Sequence, residues 1–273
     1  MKQQREHHEK EHVMKRIVIT GGTRGIGLGL AKEFLKQGHK VAICGRSEKS
    51  VNNAKEALHP HGTKEHIFGM PCDVSDVEAL QAFWDGTVKV FGGVDIWINN
   101  AAVSAERMSW WELSPEEVAA VVQTNYLGVF YACQIAMKGM LSQGHGYIYN
   151  MEGLGSAGPV VPGLTTYAST KAALTYFTKA MIKEAQDTPV KIGFLNPGIV
   201  LTDLYTGEDN KYMDERTKKM SNILADRVED VTPYLAKQII ANQQHGKNIK
   251  WLTGWGIAWR FLKAPFSKRD LFS

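Results

Sequence analysis

A doubly wound parallel sheet of the α/β class (a Rossmann fold), in a single domain, is what this sequence predicts. From residue 16 onward, short apolar runs alternate with longer amphipathic ones. The short runs are apolar on both faces, as strands buried between two helix layers must be. Glycines or a proline punctuate most joins, at 38, 92–93, 144–146 and 189, where elements end. RIVIT (16–20) is the first strand, followed by a helical stretch at 26–37. KVAIC (40–44) precedes a helix at 47–57, and EHIFGMPCD (65–73) precedes one at 76–91. VDIWINN (94–100) leads to 115–142, and GYIYNM (146–151) to 166–187. KIGFLNPG (191–198) is the sixth strand, and IKWLT is a candidate for a last one. Val, Ile and aromatic residues fill these runs, as strands prefer. Their alternation with helices implies right-handed crossovers.

The chain has 273 residues, enough to bury a substantial core. Charged residues make up 22% and apolar residues 44%, an ordinary globular balance. The net charge of +4 is mild, and Lys and Arg are scattered until the C-terminus, so nucleic acid is not implied. Cys44, Cys72 and Cys133 are far apart and form no C-x-x-C pair, which points to reduced core residues of a cytoplasmic protein. No run approaches the ~18 apolar residues of a membrane span. Residues 1–15 read as a frayed extension, neither a secretory signal nor a typical transit peptide. His7, His8 and His12 could bind a metal, but solvated side chains are the expectation, and no metal site is predicted. Residues 16–250 form the expected domain and 251–273 a tail.

The first strand runs into Thr20-Gly21-Gly22-Thr23-Arg24-Gly25-Ile26-Gly27, then a helix. Glycines there let the backbone turn tightly and approach a pyrophosphate at the helix N-terminus, whose dipole favours anions. After the second strand an acid usually grips the ribose hydroxyls of NAD. Here Gly45 takes that place and Arg46 follows. Arg46 and Arg24 both suit the 2′-phosphate of NADP. Asp73 after the third strand and Asn99 to Ala102 after the fourth complete the expected rim.

Tyr167 and Lys171 lie four residues apart in a helical stretch and share one face. A phenol near pKa ~10 is a weak acid at neutral pH. A neighbouring ammonium is expected to lower that value, so that Tyr167 can protonate a carbonyl oxygen. TGGTRGIG (20–27), CDV (72–74), NNAA (99–102), Asn125 in TNYLG, YASTK (167–171) and NPGIVLT (196–202) together resemble the short-chain dehydrogenase/reductases over residues 16–203. The resemblance implies Tyr167 as general acid and Lys171 as the group that holds the nicotinamide ribose and tunes Tyr167. It implies that Asn125 anchors a water in a proton relay, and that Ile199 and Thr202 hold the carboxamide. The implied cofactor set is Gly21, Thr23, Arg24, Gly25, Ile26, Gly27, Arg46, Asp73, Val74, Asn99, Ala101, Lys171, Pro197, Gly198, Ile199 and Thr202, around NADPH.

The departure concerns serine. The family usually carries one 13 residues before the tyrosine, where this chain has Leu154. Ser156, eleven before, is the nearest hydroxyl. Two readings stay open: the loop 153–158 swings Ser156 in to polarise the carbonyl, or its hydroxyl satisfies loop backbone. Glu152 reads as a solvated or capping acid, or else as one facing the pocket. The segment NMEGLGS resembles the chlorophyll(ide) b reductase branch of the family, which has Asn-Met-Asp-Gly-x-Gly-Ser at the same distance from its tyrosine. That branch implies NADPH-dependent reduction of a 7-formyl group to 7-hydroxymethyl. The alternatives are a generic reductase of 3-oxoacyl, steroid or xenobiotic carbonyls, or a non-catalytic NADP-binding protein.

Residues 203–225 correspond to the family's mobile substrate lid, in which Tyr205, Tyr212 and Met213 either touch substrate or pack locally. Trp251, Trp255 and Trp259 recur every four residues, followed by Arg260, Phe261, Leu262, Lys263, Phe266, Lys268 and Arg269. Two readings stay open here: packing within the protein, or peripheral membrane contact through 251–269. The resemblance further implies a homodimer or homotetramer, paired through the helices at 115–142 and 166–187, and a bulky carbonyl substrate that could be a tetrapyrrole.

Overall fold

The computed structural model describes residues 13–158, 160–267 and 269–272. Its strands are β1 (Arg16–Ile19), β2 (Lys40–Gly45), β3 (Ile67–Pro71), β4 (Ile96–Asn99), β5 (Gly146–Met151), β6 (Val190–Asn196), β7 (Ile199–Val200), β8 (Ala225–Asp226) and β9 (Asn248–Lys250). Its helices are α1 (Gly25–Lys36), α2 (Glu48–Leu58), α3 (Val77–Phe91), α4 (Pro115–Val122), α5 (Gly128–Gln143), α6 (Thr165–Glu184), α7 (Asp203–Thr206), α8 (Glu215–Leu224), α9 (Val228–Ala241) and α10 (Gly254–Lys263).

Seven strands pair in the order β3-β2-β1-β4-β5-β6-β9, and every pairing is parallel. The direction in which successive strands are added reverses between β1 and β4, which opens a crevice at the carboxyl ends of those strands, where ligands of such sheets bind. Side chains alternate between the two faces. Ile17, Ile19, Ile43 and Ile98 pack on one side with Leu30 and Phe34 of α1 and Leu235 of α9. Val18, Ala42, Trp97 and Ile148 pack on the other with Phe83 and Trp84 of α3, Ala136 of α5 and Leu174 of α6. The six expected strands and the candidate last strand all form. The three cysteines are free and buried. His7, His8, His12 and Lys268 lie outside the described residues.

Three features depart from the sequence expectations. The helical stretch at 115–142 is broken by a π-helical turn, Gln123–Leu127, that carries Asn125. Such turns reset the phase of the helix and aim side chains that a regular helix would misplace. α9 is not predicted by the sequence pattern, since Pro233 interrupts its apolar period. β7 and β8 form a two-residue parallel pair that closes the two ends of segment 199–226 onto each other. By length and composition Pro115–Gln143 would also pass for a membrane span. One face of it is packed on the sheet, through Val129, Ala132, Ala136 and Met140.

The tail is bound to this frame at Asp226, which is buried at the end of β8. Its carboxylate accepts from Trp251 Nε1 at 2.7 Å and from Arg269 Nη2 at 2.6 Å, and pairs with Arg260 Nη1 at 2.8 Å. Burial alone would raise this carboxyl's pKa, but Arg260, Trp251 and Arg269 outweigh it and hold the group below its usual range.

Candidate active site

The crevice between β1 and β4 is stitched shut at its base by backbone and amide contacts. Gly21 adopts φ +62°, which a side chain disfavours, and a Cβ there would lie 2.7 Å from Ala101 Cα. Thr20 Oγ1 accepts from the backbone N–H groups of Asn100 and Ala101, at 3.1 and 3.2 Å. Asn100 Nδ2 donates to the carbonyls of Thr20 and Gly21, each at 3.0 Å. Asn100 lies within the rim expected at Asn99 to Ala102, and its amide closes the base of the crevice. The Asn99 side chain, expected at the rim, points into the core instead. It accepts from Trp97 Nε1 at 2.8 Å and donates to Asn150 Oδ1 at 2.8 Å and Cys133 Sγ at 3.2 Å. Strand alternation explains this: Asn99 faces the α5 side and only its backbone reaches the crevice.

Gly25, Ile26 and Gly27 open α1, and Gly25 lies against Thr202, with its Cβ position 3.3 Å from Thr202 Cγ2. The loop after β6 is thereby brought to the glycine turn. Within that loop, Gly198 N–H donates to Asn196 Oδ1 at 3.1 Å, and Pro197 and Gly198 lead into Ile199, the first residue of β7. At the β2 end, Gly45 packs on Thr23, and a Cβ there would come 2.6 Å from Thr23 Cγ2. Arg46 is exposed, and the exposed Arg24 guanidinium pairs with Asp203 at 3.1 Å. Asp73 Oδ1 accepts from Ser75 N–H and Oγ–H at 2.9 and 2.7 Å, and the Val74 carbonyl abuts Gly128.

The second cluster forms where α6 meets the end of β5. Lys171 is 2% exposed, and its Nζ donates to the Met151 carbonyl at 3.0 Å. The same Nζ lies 5.8 Å from the ring centre of Tyr167. Gly153 has no side chain to spare: a Cβ would fall 2.5 Å from Tyr167 Oη. Between Met151 and Gly153, Glu152 turns inward at 8% exposure, neither solvated nor capping a helix. Its Oε2 accepts from Asn196 Nδ2 and Asn248 Nδ2, each at 3.1 Å. Met151, Glu152 and Gly153 thus hold Lys171, supply a carboxylate, and set the position of the phenol in turn.

Burial governs the electrostatics. It lowers the Lys171 pKa to about 8, and the Glu152 charge opposes that drop. It pushes the Tyr167 phenol up to about 12, whereas the sequence predicts a value below the usual one. The ammonium is turned toward Met151, so desolvation of the phenol is the larger effect. Ser156 Oγ accepts from Gly153 N–H at 3.2 Å and lies 3.5 Å from the Lys171 carbonyl. Its hydroxyl is therefore on loop backbone. Asn125 is fully buried; Oδ1 accepts from Val103 N–H and Nδ2 donates to the Val103 carbonyl, both at 2.8 Å. Nδ2 also reaches Thr170 Oγ1 at 3.3 Å, so Asn125 joins the loop after β4 to α6 next to Tyr167.

Ser104, Met108, Trp110 and Leu113 form a cleft with Gly163, Leu164 and Tyr167. Trp110 and Trp111 are exposed and stand edge to face at 5.6 Å. Arg107 ties this wall to segment 203–225: its Nη2 donates to the Tyr205 carbonyl at 2.6 Å and its guanidinium lies 4.4 Å from the Tyr212 ring centre. Glu106 accepts from Tyr212 Oη and from Lys211, each at 2.5 Å. Tyr205 and Tyr212 therefore hold the segment down, and Met213 is buried. The run ERMSWWEL (106–113) carries this wall, and its paired tryptophans are the one sign of it in the sequence. Among the described residues, no cluster of His, Cys, Asp and Glu could hold a metal.

Asn125→Ala would leave the N–H and carbonyl of Val103 without partners. A loss of about 1–3 kcal/mol in urea-unfolding stability is expected. An unchanged midpoint and slope would mean that the π turn is held by other contacts.

The short chain dehydrogenase family profile matches residues 15–212. The chain is 39% identical over 251 residues to chlorophyll(ide) b reductase NOL of Arabidopsis thaliana, covering 87% of this chain and 70% of that protein. A crystal structure of 3-ketoacyl-(acyl-carrier-protein) reductase from Brucella melitensis, complexed with NADH, superposes with a TM-score of 0.77 at 24% identity, covering 89% of this chain and 98% of that one. A variant of actinorhodin polyketide ketoreductase with NADPH superposes with a TM-score of 0.78 at 27% identity, covering 89% and 97%. With its parallel sheet, its glycine turn and its paired Tyr167 and Lys171, the chain belongs to the short-chain dehydrogenase/reductase family, a family of oxidoreductases.

Proposed function

We propose that this chain is an NADPH-dependent carbonyl reductase whose substrate is the 7-formyl group of chlorophyll(ide) b, reduced to 7-hydroxymethyl. The observation that carries the reading is the meeting of Tyr167 and Lys171 with Met151, Glu152 and Gly153 at the carboxyl end of β5. When bound, the cofactor supplies hydride to the carbonyl carbon. Residues Gly21, Thr23, Gly25, Ile26, Gly27, Asp73, Val74, Asn99, Ala101, Pro197, Gly198, Ile199 and Thr202 line its proposed place. Gly21, without a Cβ, lets the turn pack directly on Ala101 at the floor of that place. Arg24 and Arg46, exposed beside a Gly45 that carries no acid, favour a 2′-phosphate over a bare ribose.

Tyr167 keeps its proton at neutral pH because burial disfavours the phenolate, and the substrate oxygen takes that proton as it gains negative charge. Lys171 is the nearby positive charge that stabilises the phenolate left behind. Asn125 orders the loop that faces Tyr167 and is our candidate anchor for a relay water. Ser156 lies on the loop backbone, so a part for it in polarising the carbonyl requires the 153–158 loop to move.

The identity to NOL supports a pigment substrate, and Met108 and Trp110 give the cleft beside Tyr167 an apolar wall. A generic 3-oxoacyl or related ketone is the second reading, favoured by the structural likeness to the polyketide ketoreductase. A homodimer or homotetramer fits the apolar groove of about 400 Å³ lined by Val118, Val122, Tyr126 and Ala173 on α4, the π turn and α6.

Two measurements check these readings. In the first, chlorophyllide b is incubated with the protein and NADPH and its visible spectrum is followed. Loss of the formyl-type Soret band, absent in Tyr167→Phe, is expected; a constant spectrum with NADPH still bound would exclude this pigment. In the second, kcat/KM is followed against pH. It is expected to fall as pH rises through about 8, where Lys171 gives up its proton. Glu152→Gln removes the charge that opposes the burial effect, so the fall moves to lower pH. A profile identical in the variant would separate Glu152 from Lys171.

A further inference from the structure

α10 is built inside out for a helix that faces water. Thr253 caps it, accepting from Gly256 N–H at 3.2 Å, and none of its ten residues is buried. Its inner side presents Gly256 and Arg260, and Arg260 reaches Asp226 and the Leu224 carbonyl, the latter at 3.3 Å. Its outer side presents Trp255 at 89% exposure, Trp259 at 58% and Leu262 at 68%, and Phe266 just beyond it stands at 89%. These residues follow each other at steps of four, three and four, one face of a helix. A water-facing surface helix places its charges outward and its apolar side inward. Here the arginine is inside, and the large apolar side chains are in solvent.

The charge on this surface says what covers it. From Lys247 to Arg269 the sequence holds six basic residues and no Asp or Glu. Asp226 takes Arg260 and Arg269. Lys247, Lys250 and Lys263 are exposed, and among the described residues no carboxylate pairs with them. Lys263 Nζ stands 4.8 Å from the Trp259 ring centre, an aromatic body with a cationic tip beside it. Two copies of α10 packed face to face would bring Lys263 of one toward the other, and α10 itself holds no acid to pair it. An anionic lipid surface offers both things that the face lacks: negative headgroups for the lysines and an acyl boundary for the aromatics.

We propose that α10 is an interfacial anchor that lays Trp255, Trp259, Leu262 and Phe266 into the headgroup region of an anionic bilayer. The anchor stands independently of which carbonyl is reduced. It adjoins the last turn of α8 through Arg260 and the Leu224 carbonyl, so the end of segment 203–225 sits beside the lipid face.

The test is co-sedimentation of the full chain with vesicles of phosphatidylcholine and phosphatidylglycerol, against pure phosphatidylcholine, with tryptophan emission read in parallel. At least about tenfold tighter binding to the anionic vesicles is expected, weakening with salt, with a blue-shifted emission. The double variant Trp255→Ser, Trp259→Ser is expected to lose this binding while keeping the wild-type melting temperature, since both side chains are in solvent. Lys250→Glu with Lys263→Glu is expected to lose the preference for anionic lipid. Absence of binding to either vesicle would overturn the proposal, as would binding that the tryptophan variant retains. Self-association that the tryptophan variant abolishes, without vesicle binding, would assign the face to a second copy instead.

Discussion

The proposed mechanism depends on keeping one ammonium, that of Lys171, charged where it is buried. Moving Lys171 from its usual pKa of 10.5 to about 8 corresponds to roughly 3 kcal/mol of disfavour for the charged form. That is still small enough for the charge to persist at neutral pH. Two features of the chain keep it so. The Met151 carbonyl accepts directly from Nζ, and the Glu152 carboxylate opposes the loss of charge. Glu152 is itself held in the interior by two amides, from Asn196 at the end of β6 and Asn248 on β9. The last strand of the sheet therefore contributes to the site through a carboxylate that belongs to another strand's end.

The parallel sheet was legible because its strands carry apolar residues on both faces, and strands covered on only one side alternate apolar with polar instead. Tyr167, Lys171 and the glycine turn were legible because their spacing places them on one helix face and at one strand end. Other features depend on what packs against what. Glu152 reads as a solvated or capping acid or as one facing the pocket, and it is the amides of Asn196 and Asn248 on β6 and β9 that hold it inward. Asn99 and Asn100 are neighbours of the same type, and strand alternation sends one to the core and the other to the crevice. α9 hides behind Pro233, a residue that lowers helix propensity but is tolerated where α9 packs on the sheet through Val231 and Leu235. The cleft wall at 106–113 has no periodicity, so only its paired tryptophans mark it.

Segment 203–226 connects the two ends of the molecule. At its start, Arg24 pairs with Asp203 beside the glycine turn. In its middle, Arg107 and Glu106 hold Tyr205, Lys211 and Tyr212. At its end, Asp226 gathers Trp251, Arg260 and Arg269 from the tail. Each contact joins the segment to a different part of the sheet's carboxyl edge. The middle contacts are made by exposed side chains such as Glu106 and Lys211, whereas Asp226 is buried. The tail orients its arginines toward this acid and leaves its aromatics outward, so a single buried carboxylate sets the face that α10 presents.

The proposed mechanism turns on Lys171 being a buried lysine that is still charged at neutral pH. The direct measurement is a pH titration of the protein labelled with ¹³C at lysine Cε, with Lys171→Met used to assign the signal. A midpoint near 8 for Lys171, well below those of the surface lysines, is expected. A midpoint near 10.5 with the rest would be incompatible with this site, because Lys171 would then be a solvated side chain and not the charge around which β5, β6 and β9 are arranged.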